Sequence, residues 1–248
     1  MKYLVYLFFL TLTIGCKVKK INDYSGVNYT IADTLFASND LDSMIAPYKL
    51  EMEAKMDKVI GFSNEDMVRY SPESPLGNFV ADVVFGSGFN YGLNSEELAV
   101  SKSNTICLLN FGGLRAPINK GDITIGNVYE LMPFDNEIVI VSLSPSQVEK
   151  MLVYLFEKQG QPVSNAVALL SSDKQRLDIG GKRFSFEKHI YVITSDYLAK
   201  GGDKMSFFKE SKMIQTGVLI RNALLNYVKN KKELPVFEVE GRIQFVKK

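Results

Sequence analysis

A chain of 248 residues, 46% of them hydrophobic and sixteen of them Phe, can bury a sizeable core in one large domain or two small ones. Its formal net charge of +1 removes the electrostatic case for a nucleic-acid polymer or an acidic polymer as partner. There is no internal repeat and no low-complexity linker, so the body reads as one domain.

The first residues read as a targeting segment. Met1-Lys2 is followed by an apolar run from Tyr3 to Ile14 and then by Gly15-Cys16. A charged start, an apolar stretch and a small residue describe a secretory signal, and the run is too short to span a bilayer comfortably. A Cys directly after the small residue resembles a bacterial lipoprotein signal, with Cys16 as the lipidated first residue. Thr13 stands where a Leu is usual, with Leu12 one place away. A plain signal peptide with an incidental Cys is the alternative. The expected organisation is a signal over 1–16, a polar tether over 17–31 and a folded body over 32–248. The lipid would anchor that body to a bacterial cell envelope, periplasmic or surface-exposed. Cys107 is then left without an intramolecular partner, in an apolar strand where it behaves as a small hydrophobe.

Within the body, Leu41 to Lys58 reads as a helix with Asp40 or Asp42 as cap, its regular part starting near Tyr48 because of Pro47. Val59 to Phe62 is a short strand. Pro72 to Gly86 carries Leu76, Phe79, Val80, Val83 and Val84 at helical spacing, with Ser74 as cap and Pro75 in the first position. Gly77 and Asn78 fall in that first turn, where free backbone N–H groups suit an anion. Asn90 to Asn104 reads as polar loop.

The stretch from Ile106 to Asn136 follows, opening on a buried strand from Ile106 to Leu109. Asn110, Gly112, Gly113 and Arg115 then lie on the turn beyond its carboxyl end. A glycine pair there permits positive φ or a close approach to a ligand. Pro133-Phe134-Asp135-Asn136 closes the stretch. An amide, a guanidinium and a ring on neighbouring turns make a site suited to a planar, anionic ligand, although ordinary turn glycines between a strand and a helix fit the same residues.

Glu137 to Leu143 alternates like a half-buried strand, and Ser144-Pro145-Ser146-Gln147 is a capping box before a stripe of Val148, Met151, Leu152, Leu155 and Phe156. Ala166 to Ser171 and Arg176 to Phe186 read as strands, the second turning at Gly180-Gly181. The β-prone run Ile190 to Thr194 again delivers an aromatic residue, a glycine pair and an acid onto a loop, at Tyr197, Gly201, Gly202 and Asp203. Thr216 is placed as the cap of a last helix to Lys229, and Arg242 to Val246 as a closing strand. The class is α+β, a mixed β-sheet with flanking helices.

ES-x-LGN-x-x-AD (Glu73 to Asp82), N-x-GG-x-R (Asn110 to Arg115), G-x-IT (Gly121 to Thr124), PF-x-N around Phe134 and YLAKGGD (Tyr197 to Asp203) stand in one order. In that order they resemble the C-terminal domain of 5'-nucleotidases and UDP-sugar hydrolases, from about Leu41 onward. The resemblance implies a nucleoside or nucleotide ligand, with its base between Phe134 and Tyr197. It also implies that Asn110 bonds the base, Arg115 reaches toward the phosphate and Asp203 lies near the ribose hydroxyls, with the glycines at 112, 113, 201 and 202 shaping the loops. A second phosphate-directed arginine is often found where Pro72 stands, and the nearest candidate here is Arg69.

Hydrolysis in the resembled family belongs to a separate N-terminal domain holding two divalent metals on Asp, His and Asn. His189 is the one histidine of this sequence and reads as structural. No cofactor is expected in this chain, and divalent metals are expected only in a partner. There is no G-x-S-x-G and no P-loop. The expectations are thus a split 5'-nucleotidase completed by a separately encoded metallophosphatase, a non-enzymatic envelope lipoprotein that captures or senses nucleosides or nucleotides, or a remnant that no longer binds.

Overall fold

The computed structural model describes residues 26–28 and 39–246. The signal, Cys16 and almost all of the tether lie outside the described residues. The chain divides into two units, Met1–Ala46 and Pro47–Lys248, and every element after the first helix belongs to the second unit. Among the described residues no helix is long and apolar enough to cross a membrane.

Helix α1 spans Asn39–Met56. The sequence predicts a regular helix only from about Tyr48, yet α1 runs through Pro47. Proline removes one intrahelical bond and crowds the preceding turn. The residues around it lie exposed in water, where a displaced carbonyl is solvated.

Strand β1 (Val59–Ser63) pairs antiparallel with β3 (Gly121–Thr124). Between them in sequence lie α2 (Pro75–Leu93) and β2 (Thr105–Leu108). Then come α3 (Ile125–Leu131), β4 (Glu137–Leu143), α4 (Pro145–Glu157), β5 (Val163–Ser164), β6 (Ala166–Leu170), β7 (Gln175–Ile179) and β8 (Lys182–Arg183). The chain continues with β9 (Ile190–Ser195), α5 (Asp196–Ala199), β10 (Met213–Leu219), α6 (Ile220–Lys231) and β11 (Ile243–Phe245).

The central sheet has five strands in the order β10-β4-β9-β2-β5, in which only β9 and β2 run parallel. A second sheet orders β11-β6-β7-β8. The fold is therefore mixed, as expected.

Both faces of the central sheet are covered. Ile138, Ile140, Cys107 and Ile193 join the residues of α2, α3 and α6 in one apolar cluster, while Val139, Val141, Ile106, Leu108 and Val192 join α4 and the second sheet in another. This corrects the half-buried reading of Glu137–Leu143, since Ile138 to Val141 are all buried. Helix α2 also runs seven residues past Gly86. Gly86, read as the ending, lies inside the helix with open space where a Cβ would stand, while a Cβ on Gly88 two residues on would lie 2.5 Å from Cγ2 of Ile193, so only glycine lets the helix lie this close to the sheet there.

The first turn of α2 is not an anion site. Ser74 Oγ accepts from Gly77 N at 3.1 Å, and Asn78 N donates to Ser74 O at 2.9 Å. Buried Glu73 accepts from Asn78 Nδ2 (2.6 Å) and from the backbone N of Glu240 (2.8 Å) and Arg242 (2.6 Å). Arg242 in turn forks onto Asp82 at 2.7 and 2.9 Å. The carboxylates of the first motif thus fasten the segment before β11 to α2. Burial pushes the nearby Cys107 thiol well above its ordinary value, so it stays protonated.

Thr216 is not a helix cap. It lies in the edge strand β10 and donates to Ile138 O at 2.7 Å, where the pairing with β4 shifts register. A threonine before a helical stripe gives the same local pattern in both cases, and the pairing with β4 decides it.

Arg242→Ala removes a fork onto a carboxylate whose side chain is only 34% exposed. We expect a loss of about 2–4 kcal/mol, less than for a fully buried pair because Asp82 keeps some water. A urea midpoint unchanged from wild type would show that the pair does not hold the C-terminal segment.

Candidate ligand-binding cleft

Strand direction explains how distant residues meet. Parallel β2 and β9 end at the same edge of the sheet, and antiparallel β4, between β10 and β9, begins there. The segment before β4 and the loops after β9 and β2 therefore lie side by side. With neighbouring strands about 4.8 Å apart, the outer two of these three are about 10 Å apart. Ligand sites favour such strand ends.

A cleft of about 350 Å³ opens there, lined by Asn110, Gly112, Gly113, Arg115, Phe134, Asn136, Tyr197 and Asp203. The volume is in the range of small-molecule sites. Of the binding residues expected from the sequence, all but Gly201 and Gly202 line this one space. Phe134 and Tyr197 are 44% and 46% exposed, so neither ring is a core residue. Asn136 lines the cleft as well; its motif position was visible in the sequence, but no pairing rule singled it out.

Asp203 holds the loops together. Its carboxylate accepts from Asn110 Nδ2 and, at 3.1 Å, from Tyr197 Oη, while its backbone N donates to Tyr197 Oη at 3.1 Å. Tyr154 Oη donates to its backbone carbonyl at 3.1 Å. These bonds hold Asp203 at φ 49°, the left-handed region, and Lys204 follows at φ 68°. Such a conformation costs a non-glycine residue about 1–3 kcal/mol and tends to occur at functional sites.

The glycines are explained by proximity. Neither Gly112 nor Gly113 has a positive φ, contrary to one of the two expectations. A Cβ on Gly113 would meet Asn110 Oδ1 at 3.0 Å, and one on Gly112 would meet Asp203 Oδ2 at 3.3 Å. Gly201 takes φ +90°, and a Cβ on Gly202 would lie 2.5 Å from the Tyr197 ring. Gly202 thus leaves room for the Tyr197 ring and Gly201 supplies the left-handed turn before it, and neither glycine lines the cleft itself.

Two arginines position the walls. Arg69, the nearest candidate for an arginine at Pro72, is not among the residues lining the cleft; its Nη1 donates to Phe111 O (2.7 Å) and Leu114 O (2.6 Å) and so braces the turn of Gly112 and Gly113. Arg221, which sequence reading passed over, is buried on α6. Its Nη1 donates to the carbonyls of Met132 (3.3 Å), Pro133 (3.1 Å) and Phe134 (3.3 Å). Its Nη2 pairs with Asp135, and its guanidinium lies 4.4 Å from the Tyr129 ring centroid. The loop that carries Phe134 is wrapped around one side chain. An arginine in a helix's first turn carried no signal of this. Arg115, by contrast, is exposed at the rim and reaches Gly112 O at 3.3 Å.

The cleft does not fit a pair of divalent metals. Among the described residues Asp203 is the one carboxylate in its lining, and both of its oxygens already accept hydrogen bonds. His189 is exposed just before β9 and is not a lining residue.

The family model "5'-nucleotidase, C-terminal domain" matches residues 59–210. The trifunctional nucleotide phosphoesterase protein YfkN of Bacillus subtilis is 32% identical over 122 residues, covering 47% of this chain and 7% of that protein. The 5'-nucleotidase of Bos taurus is 26% identical over 198 residues, covering 70% of this chain and 33% of its own length. A crystal structure of a 5'-nucleotidase precursor from Thermus thermophilus superposes with a TM-score of 0.68 at 25% identity, covering 84% of this chain and 43% of that one. The chain spans less than half the length of each of these relatives.

Burial, then the negative charge of Asp203 and the neighbouring Tyr197, push the Tyr154 phenol up to about 12. Its ordinary value is about 10. Between those values the unfolded chain has lost this proton and the folded chain keeps it, so stability falls as pH rises. The expected outcome is an unfolding midpoint that drops from about pH 10 to 12 more steeply in wild type than in Tyr154→Phe. Equal slopes would show that the phenol is not held as a donor.

Proposed function

This chain belongs to the 5'-nucleotidase C-terminal domain family, and from that premise we propose that its cleft binds a nucleoside or nucleotide and presents it to a separately encoded metallophosphatase. The observation that carries the reading is the convergence of two half-exposed rings, an amide, a guanidinium and a carboxylate on one space.

In this reading the base stacks against Phe134 and Tyr197, since every base offers a π face. Asp203 holds the amino end of Asn110, which leaves Oδ1 to accept from the base. The Asp203 carboxylate accepts from ribose hydroxyls, and Arg115 faces the phosphate. The chemistry this chain supplies is binding and orientation; activation of water at a two-metal site belongs to the partner. The names of the relatives support a phosphoester substrate, and the single histidine supports placing the metals elsewhere.

A second reading is non-enzymatic capture or sensing at the cell envelope. It is favoured by the cleft's own inventory, because rings, amide, guanidinium and carboxylate are together a sufficient set for holding a ligand. The neighbouring reading frame separates the two. A secreted metallophosphatase encoded there supports the split enzyme, and its absence supports capture.

Two stacked rings and a few hydrogen bonds are worth roughly 4–7 kcal/mol, a Kd on the order of ten micromolar to one millimolar. Titration with adenosine, AMP and a UDP-sugar should find that range for at least one of them. Phe134→Ala should weaken binding roughly five- to a hundred-fold, about one stacking contribution; unchanged affinity would remove the ring from the site.

The purified protein should release no phosphate from AMP with added divalent metal. Adding the partner should give turnover, with KM raised in Tyr197→Ala. Hydrolysis by the protein alone, lost in Asp203→Asn or Arg115→Ala, would overturn the binding-half reading.

A further inference from the structure

Asp203 borders a second cleft as well as the first. This neighbour, of about 280 Å³, is lined by Tyr154, Lys158, Gln161, Asp203 and Lys204. Its chemistry differs from that of the first cleft. Neither Lys158 nor Lys204 has an ion-pair partner among the described residues. Gln161 Oε1 accepts from Phe111 N at 2.8 Å, so the amide's amino group is its free end. Tyr154 Oη donates to the Asp203 carbonyl at 3.1 Å.

Two ammonium groups and an amide N–H₂ thus surround a space whose one carboxylate is engaged elsewhere, by Asn110 and Tyr197. Two positive charges against one negative leave the second cleft cationic, with donors that lack acceptors. Lys158 ends α4, where a cation also complements the helix dipole. That accounts for Lys158 alone. Lys204 closes only a three-residue 3-10 turn, Gly202–Lys204, too short and irregular to carry such a dipole, and it occupies a left-handed position directly after Asp203.

We propose that the second cleft is a subsite for a phosphate carried on the 2′ or 3′ oxygen of the ribose. The inference rests on the nucleoside reading of the first cleft, which brings the ribose hydroxyls to Asp203. A phosphate on that edge leaves the first cleft past Asp203 and meets Lys158, Lys204 and the Gln161 amino group. Charge-assisted bonds to a phosphate suit this donor set. A nucleotide phosphorylated only at the 5′ oxygen does not reach the subsite and gains nothing from it.

The test is calorimetric titration of the full chain with adenosine, 2′-AMP, 3′-AMP and 5′-AMP, in wild type and in Lys158→Gln/Lys204→Gln. Two solvent-screened contacts predict that 2′-AMP or 3′-AMP binds roughly two- to thirty-fold more tightly than adenosine. The gain should shrink toward one at about 0.5 M salt and vanish in the double variant, while adenosine binds both proteins alike. Which of the two isomers gains identifies the oxygen that faces the subsite. If adenosine binds but neither isomer gains, or if the gain survives loss of both lysines, the subsite is wrong and the first cleft stands. If adenosine does not bind at all, the reading of the first cleft fails and the subsite fails with it.

Discussion

The site depends on Asp203. Three side chains from different places hold it: Asn110 after β2 and Tyr197 after β9 donate to its carboxylate, and Tyr154 on α4 donates to its backbone carbonyl. Its own N–H completes the set on Tyr197 Oη. The left-handed backbone costs about 1–3 kcal/mol. Net hydrogen bonds are worth about 0.5–1.5 kcal/mol each, and more when one partner is charged. The four bonds together are comparable to or larger than that strain, and they connect the loop to Asn110, Tyr154 and Tyr197 in the absence of a ligand. A ligand that replaces Asn110 or Tyr197 on the carboxylate must exceed what it displaces.

Around that clamp, the motifs divide into two jobs. Glu73, Asn78 and Asp82 lie away from the cleft lining and fasten α2 to the segment around Glu240 and Arg242. Asn110, Arg115, Phe134, Tyr197 and Asp203 line the cleft. Residues of one family signature need not share a site; the first motif gives the sheet its cover, and the sheet's strand directions then bring the others to one edge. Arg221 and Arg69 belong to a third group, which holds backbone carbonyls and so fixes where Phe134, Gly112 and Gly113 stand.

Much of this was legible in the sequence because it is local. Ser74-Pro75 and the box at Ser144 and Gln147 start their helices as their residue types require, and the apolar runs before Asn110 and Tyr197 form the buried parallel pair. What failed was set by distant partners. The packing of Gly88 on Ile193 prolongs α2, cover on both faces removes the polar alternation expected of β4, and pairing with β4 makes a strand of the residues around Thr216. Arg221 could not be found from its neighbours, because its partners lie 86 to 89 residues earlier.

The chain contains no Trp, so Phe134→Trp places a single indole in the wall of the cleft. Titrating that variant with adenosine tests the stacking claim directly. The account predicts saturable quenching of the indole emission, with a midpoint on the order of ten micromolar to one millimolar, and no quenching by ribose 5-phosphate, which has no base to stack. Adenosine binding seen by calorimetry with the indole emission unchanged would contradict it.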